Sequence, residues 1–469
     1  MRKNMKKAIV GVLTLGLLLG AVVYPNAYVK ADEVTNPTDT TNQENVQPTP
    51  TPVPIPEGAI AVNETNFPDP GVYASARSAD MMGTFDGYLT AEEAKKTEYM
   101  TILEDVDNMD KYLSIFTNLS SLTVYAGTKT TLKVSDTLTF ISIHSDLSKV
   151  VNLTGGKKLT SVNYTADKKA KLDFKKAKGY SNIKSISVHG SKVSSVVLPN
   201  QAKLQSVDLS STAVTKVDVS KCKKLTAFTC YYGKLKTLNI SANKNLKDIG
   251  VGNNKLTKLD TSKNAKLECV VAYDNKIKSI NTTKNKKLNR LELSENKIKK
   301  VDVSKNKKLT TLSVDNNKLK NLDVRKNTKL EILRFNNNSI KKLKIKKTNK
   351  IVALAVGDNK IKTFPYKKYK SLTSYDVGTT YALLKDVAFK ENLSVTLKVS
   401  RKKTSNIKSY LPKLKSYTFE NLWGESEYYT FSSDGKFKVT SKGKALEYTS
   451  SAGIKVSKGD KAMTLYVQY

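Results

Sequence analysis

From Leu225 onward the apolar positions of this chain keep a fixed register. Leu225, Leu246, Leu267, Leu288, Leu309, Leu330, Ile351 and Leu372 stand 21 residues apart. Ile183 and Leu204 extend the series upstream, and looser units start near Leu119, Leu138 and Leu159. Self-similarity at such a period specifies a stacked architecture, in which each unit buries its apolar side against its neighbours. In the unit LNRLELSENKIKKVDVSKNKK, Leu288, Leu291 and Leu293 alternate as one inward-facing strand. Ile298, Val301 and Val303 form a second apolar segment on the opposite side of the coil.

Two asparagine columns punctuate the units. One runs Asn254, Asn275, Asn296, Asn317, Asn338 and Asn359, and the other Asn243, Asn264, Asn285, Asn306 and Asn327. An asparagine amide can bond the backbone at a corner, and also the Asn of the next coil. Two corners per coil predict a flattened tube with strand-like segments on both broad faces. About thirteen coils at roughly 4.8 Å each would span roughly 60 Å.

The flanks lack this period. Residues 57–118 hold twelve Asp/Glu against four Lys/Arg, and Thr90-Ala91-Glu92-Glu93 has the spacing of a capping box. This segment is expected to be an acidic, partly helical N-cap over the first coil. The repeats occupy 119–392. Residues 393–469 carry short β-type runs, Ser394–Val399, Tyr428–Ser432, Lys436–Thr440 and Met463–Tyr469, and are expected to form a β-sandwich-like module on the last coil. Trp423 and Tyr428-Tyr429 read as core aromatics there in preference to a sugar platform. At the other end, basic Arg2, Lys3, Lys6 and Lys7 precede an apolar run from Ala8 to Val23. A signal peptide over 1–31, cleaved after Ala31, is expected, with no membrane span afterwards. Residues 32–56, ending in QPTPTPVPIP, read as an extended linker.

The carrying motif, LxxLxVxxNxL over Leu309–Leu319, resembles the leucine-rich-repeat family, and in particular the secreted internalin-like proteins of Gram-positive bacteria. The order of cap, repeats and β module is similar too. Departures are the 21-residue unit, the second apolar segment and the lack of a wall-sorting motif. The resemblance implies a mainly β solenoid acting as a secreted, non-enzymatic scaffold for a protein or glycan partner, monomeric and without cofactors. In such proteins the residues between the core leucines of the front strand face the partner. Here these include Tyr231, Tyr273, Arg290, Glu292, Asp315, Ile332, Arg334 and Asn336. Tyr231, Tyr273, Arg290, Glu292 and Arg334 are the candidate contact residues, since aromatic and Arg side chains anchor interfaces.

Charge adds a second candidate. Lys+Arg number 80 against 42 Asp+Glu, a formal charge of +38. Lysines recur in phase, as in Lys276, Lys297 and Lys318 after the corner asparagine. Stacking turns them into ridges that would attract an anionic polymer of the cell wall without reading sequence in a nucleic acid.

Catalytic and metal chemistry find little purchase, and an extracellular hydrolase, a distant alternative, would need its site in the C-terminal module 393–469. His144 and His189 sit at equivalent places two coils apart, roughly 9–10 Å, too far to share one ion. Of the three cysteines, Cys230 is expected in the core, Cys222 half-buried at a corner, and Cys269 exposed on the front strand without a histidine beside it. Glu292 and Glu295 share a coil but no cleft. The resemblance also draws attention to MGTFDGYLTAEE, Met82 to Glu93, because caps of the family carry a calcium loop there. Asp86, Gly87 and Glu93 match ligand places 5, 6 and 12, but Met82 at place 1 offers no hard oxygen, so calcium is not expected.

Overall fold

The computed structural model describes residues 55–469, apart from 105, 200, 347–349, 366–367, 380–382, 384–392, 401, 415, 423–426, 433, 445–449 and 459–460. The expected signal peptide, most of the linker and Trp423 lie outside the described residues.

The repeat becomes a parallel β-solenoid. Its front sheet takes one short strand from each unit, thirteen in all, from Ser121–Gly127 to Ser374–Asp376. Registers such as Arg290↔Thr311, Leu291↔Leu312 and Glu292↔Ser313 match residues 21 apart. The register explains the constancy of the period: one residue more or less would turn every inward side chain outward. Leu288, Leu291, Leu293 and Ile298 are each fully buried, and so are their counterparts Leu309, Leu312, Val314 and Leu319. Each such side chain contributes about 1.5–3 kcal/mol by leaving water.

The back differs from expectation. Ile298, Val301 and Val303 are buried as the pattern implies. Among the described residues of the regular units, however, strand pairing on the back is confined to Leu322–Asp323 with Leu343–Lys344. Longer back pairs occur upstream, where Thr131–Val134 meets Asn152–Gly155 and Ala170–Asp173 meets Val193–Val197. Elsewhere side chains replace the ladder. Asn264 Nδ2 donates to the carbonyls of Ile240 and Asn243 at 2.9 Å each, and Asn285 repeats this one coil on.

The other asparagine column also bonds backbone, but to the preceding coil rather than to the next Asn. Asn275 Oδ1 accepts from Leu256 N, and its Nδ2 donates to Val251 O and Tyr273 O. The residue before each of these corners has a left-handed backbone. Tyr232, Asn253, Asp274, Glu295, Asn316, Asn337 and Asp358 all have φ between 47° and 56°.

The N-terminal segment contains helix α1, Pro70–Met81, which the apolar pattern had not revealed. Asp69, fully buried, caps it by accepting from Gly71 N and Val72 N. Its other oxygen accepts from Leu103 N and Glu104 N, tying the helix to the end of the strand Tyr99–Ile102. Gly71 permits the close packing: a Cβ there would lie 2.5 Å from Thr101 O. Helix α2, Ala91–Lys95, starts at Thr90 with the expected capping box. The strand Tyr99–Ile102 pairs with Ser121–Gly127, so it adds one more rung to the front sheet.

At the other end the sheet does not stop with the repeats. Ser394–Lys398 pairs in parallel with Ser374–Asp376 and with Lys461–Gln468. Ser451–Lys458 and Thr418–Asn421 then continue it antiparallel. A three-stranded sheet of Ser405–Asn406, Lys436–Val439 and Tyr429–Phe431 forms a second layer. Tyr469 joins the layers, its ring 5.7 Å from Tyr429 and 5.8 Å from Phe437. Tyr429 is thus a core residue.

Candidate partner-binding face

The front sheet differs chemically from the rest of the surface. None of its thirteen repeat strands contains a lysine. Repulsion along the stack does not explain this, because Lys276, Lys297 and Lys318 are exposed one coil apart at the neighbouring corner. Their backbones are held there by bonds to Leu256 O, Ile277 O and Ile298 O. The cations of the front strands are Arg290 and Arg334, among carboxylates Asp208, Asp248, Glu292 and Asp376. Arginine, planar and weakly hydrated, suits recognition better than lysine.

Four of the five predicted contact residues form one cluster. Tyr231 and Tyr273 start two coils apart, yet their ring centroids are 6.3 Å apart with planes at 27°. The coil between them makes this possible, for it carries Gly250 and Gly252 at the matching front places. A Cβ on Gly250 would lie 2.2 Å from the Tyr231 hydroxyl, and one on Gly252 would lie 2.7 Å from the Tyr273 ring. Both tyrosines therefore lie down on a backbone floor. Burial pushes both phenols above their ordinary range, and a hydrogen bond with the Tyr232 side chain raises Tyr273 further. Beside them Arg290 Nε and Nη2 hold Glu292 Oε1 at 2.9 and 2.7 Å. Sequence reasoning found the tyrosines but missed the floor; its signal is Gly-x-Gly in register between two Tyr.

Arg334 stands apart from that cluster, exposed, and faces Asp315 instead. Asp315 belongs to a polar chain crossing several coils. It accepts from Ser313 Oγ at 3.0 Å and from Asn336 N at 2.7 Å. Asn336 Nδ2 donates to Asp376 Oδ2 at 2.7 Å, and its Oδ1 accepts from Gly357 N at 2.6 Å. Burial raises the pKa of Asp315 and of Asp376, against the lowering effect of these bonds. The two aspartates are 61 residues apart in sequence, so no local pattern announces the network. Ile332, half-buried, stands on the strand between the coils of Asp315 and Asp376, on the side of Asp315 away from the tyrosine cluster.

The remaining candidates resolve individually. His144 stacks on Tyr125 with centroids 4.3 Å apart, and burial lowers its pKa. His189 bonds Ser187 Oγ and Ser210 O. Cys230 is buried as expected, its thiol pushed up to about 12 by burial. Cys222 is fully buried rather than half-buried, because its corner position faces the core. Cys269 is not the exposed thiol expected. It lies half-buried between Asp248 and Arg290 on the adjoining strands, and burial pushes it up to about 12. Glu292 is engaged by Arg290, and Glu295 is exposed at a left-handed corner.

The loop ending at Glu93 does not fit a calcium ion. Burial alone would raise the Glu93 pKa, but four bonds outweigh it and hold it at about 2. Oε1 accepts from Thr84 N and Thr84 Oγ1, and Oε2 from Thr90 N and Thr90 Oγ1. Asp86 Oδ1 is turned onto Tyr88 N, and Met82 is exposed. Threonine donors thus occupy the carboxylate that a cation would need. Among the described residues, no group of three or more His, Cys, Asp and Glu is placed to hold a metal, and no helix is long and apolar enough to cross a membrane.

These stacked parallel coils make the chain, by fold, a leucine-rich-repeat β-solenoid. Similar solved structures include the functional domain of InlJ from Listeria monocytogenes, at 15% identity over 87% of this chain and 98% of that one, TM-score 0.45. That domain includes a cysteine ladder; the cysteines here fall in three different columns. Others are an internalin (inlF) from Listeria monocytogenes, 18% identical over 73% and 92% of the two chains, TM-score 0.42, and YopM from Yersinia enterocolitica, 16% identical over 70% and 72%, TM-score 0.46. No family model matches the chain, and no curated protein matches it.

Proposed function

We propose that the protein is an extracellular, non-enzymatic binding scaffold whose front sheet, lysine-free along its thirteen repeat strands, receives a protein or glycan partner. The exclusion of lysine from thirteen successive strands carries this reading. A surface kept only for solubility would accept lysine there as it does at the corners. The clustering of Tyr231, Tyr273, Arg290 and Glu292 supports it, since such side chains dominate interface energetics.

Photo-crosslinking tests this. A photoreactive residue placed at Thr311 or Ile332 should capture a defined partner from the producing organism's surroundings, and the same residue at the exposed Asn281, away from the front sheet and from the lysine columns, should not. Equal capture from both faces would sink the reading.

The lysine columns favour a second role beside the first, attachment to an anionic wall polymer. A groove between two of the columns is lined by Lys299, Lys320 and Lys326 together with Asp302 and Asp323, the last of which holds Arg325 at 2.7 Å. The ordered phase of these cations is the supporting observation.

A further inference from the structure

We infer that the tyrosine pair on its glycine floor is a stacking platform for a neutral, β-linked oligosaccharide. The inference rests on the front-sheet reading and names its ligand class.

Gly250 and Gly252 let two rings from flanking coils lie against the backbone of one coil, each only half-buried. The centroid spacing of 6.3 Å and the tilt of 27° give a nearly continuous aromatic surface two rings long. A pyranose whose substituents are equatorial presents axial C–H bonds on its faces. These suit the negative face of an aromatic ring, as the edge of a second aromatic does. Two successive sugar rings match two aromatic rings at this spacing.

The rim supplies the polar half. Arg290 and Glu292 are paired and only partly exposed, at 32% and 21% of their side-chain surface. Tyr232 at 52% exposure and Asn253 border Tyr273. Planar donors and acceptors of this kind match the vicinal hydroxyls of a sugar. Their charges cancel inside the patch, so it favours an uncharged ligand; anionic glycans are served by the lysines at the corners.

Saturation-transfer NMR and calorimetry with cellohexaose and chitohexaose test the proposal on the full chain. At least one sugar should bind, with transfer strongest to the axial ring protons, and about 0.5 M salt should leave binding unchanged. Tyr273→Ala should weaken binding about tenfold or more. Gly252→Leu should do the same by lifting the Tyr273 ring, while Tyr273→Phe, which keeps the ring, should bind nearly as the wild type. Unchanged melting temperatures separate these effects from misfolding. Binding of neither sugar, binding lost in salt, or binding indifferent to Gly252→Leu and Tyr273→Ala would overturn the platform. If cross-linking still favours the front sheet in that case, only the sugar assignment fails; if it does not, the parent reading fails too.

Discussion

At the residue scale, the asparagine columns show how one polar side chain can tie its coil to the coil before it. The Nδ2 of Asn306 donates to Thr282 O and Asn285 O, and its Oδ1 accepts from Thr282 Oγ1 at 2.9 Å. Asn285 has the same donor in Thr261. Asn243 and Asn264 do not, because the equivalent places hold Val219 and Ile240, and their buried Oδ1 atoms lack a partner. Thr282→Val should therefore leave the Oδ1 of Asn306 without its donor as well, at about 1–3 kcal/mol. Val219→Thr should relieve the one at Asn243 and raise the melting temperature. Thermal denaturation of both variants checks this; shifts of the same sign would refute the account. The corner asparagines were visible in the sequence as periodic polar positions. Their partners were not, because an amide can turn to either neighbouring coil and only the stack settles which. Nor did the sequence announce the left-handed turn before each corner, since Tyr232 and Glu295 occupy it beside the more tolerant Asn and Asp.

At the element scale, the N-terminal cap is held by two buried carboxylates. The Thr90–Glu93 capping box was legible from spacing alone. Asp69 was not, since two of its four donors lie 34 and 35 residues away. Glu93 makes a pH prediction. Its pKa is depressed to about 2 in the fold, so its contribution is fully present above the unfolded value of 4.5 and disappears as the pH falls from about 4.5 to about 2. Glu93→Gln should lower the melting temperature at pH 7 and much less near pH 2. A constant difference between variant and wild type from pH 7 to pH 2 would show that the carboxylate charge is irrelevant to the cap. The C-terminal elements illustrate the opposite limit. Four short strands were readable from alternation, but Ser451–Lys458 and Thr418–Asn421 were not, and they reach the front sheet only through Lys461–Gln468, whose partner Ser394–Lys398 lies 70 residues earlier in the chain, as in Ser394↔Thr464.

At the scale of the whole molecule, charge is distributed by face: cations at the corners and flanks, almost none on the front. If the corner ridges hold the protein to an anionic polymer, retention on heparin or isolated bacterial wall should be strong at about 50 mM salt and lost near about 0.5 M. Changing Lys276, Lys297 and Lys318 together to Gln should reduce retention and its salt dependence without altering the melting temperature, because all three are exposed. Salt-independent retention, or retention unchanged in the triple variant, would shift the polymer away from this ridge.

The sequence by itself determined the solenoid. A 21-residue period in leucine position leaves each coil unable to bury its apolar side alone, and only stacking satisfies all of them at once. It also determined which side chains stand on the front sheet, because strand alternation allows no other assignment once the leucines point inward. The tertiary structure decided what those side chains do to one another. Tyr231 and Tyr273 became a pair only because the coil between them lacks side chains at Gly250 and Gly252. Arg334, with no such floor beside it, turned to Asp315 instead. Contacts between coils depend on the bulk of the intervening residue and on rotamer choice, and neither is written in the repeat.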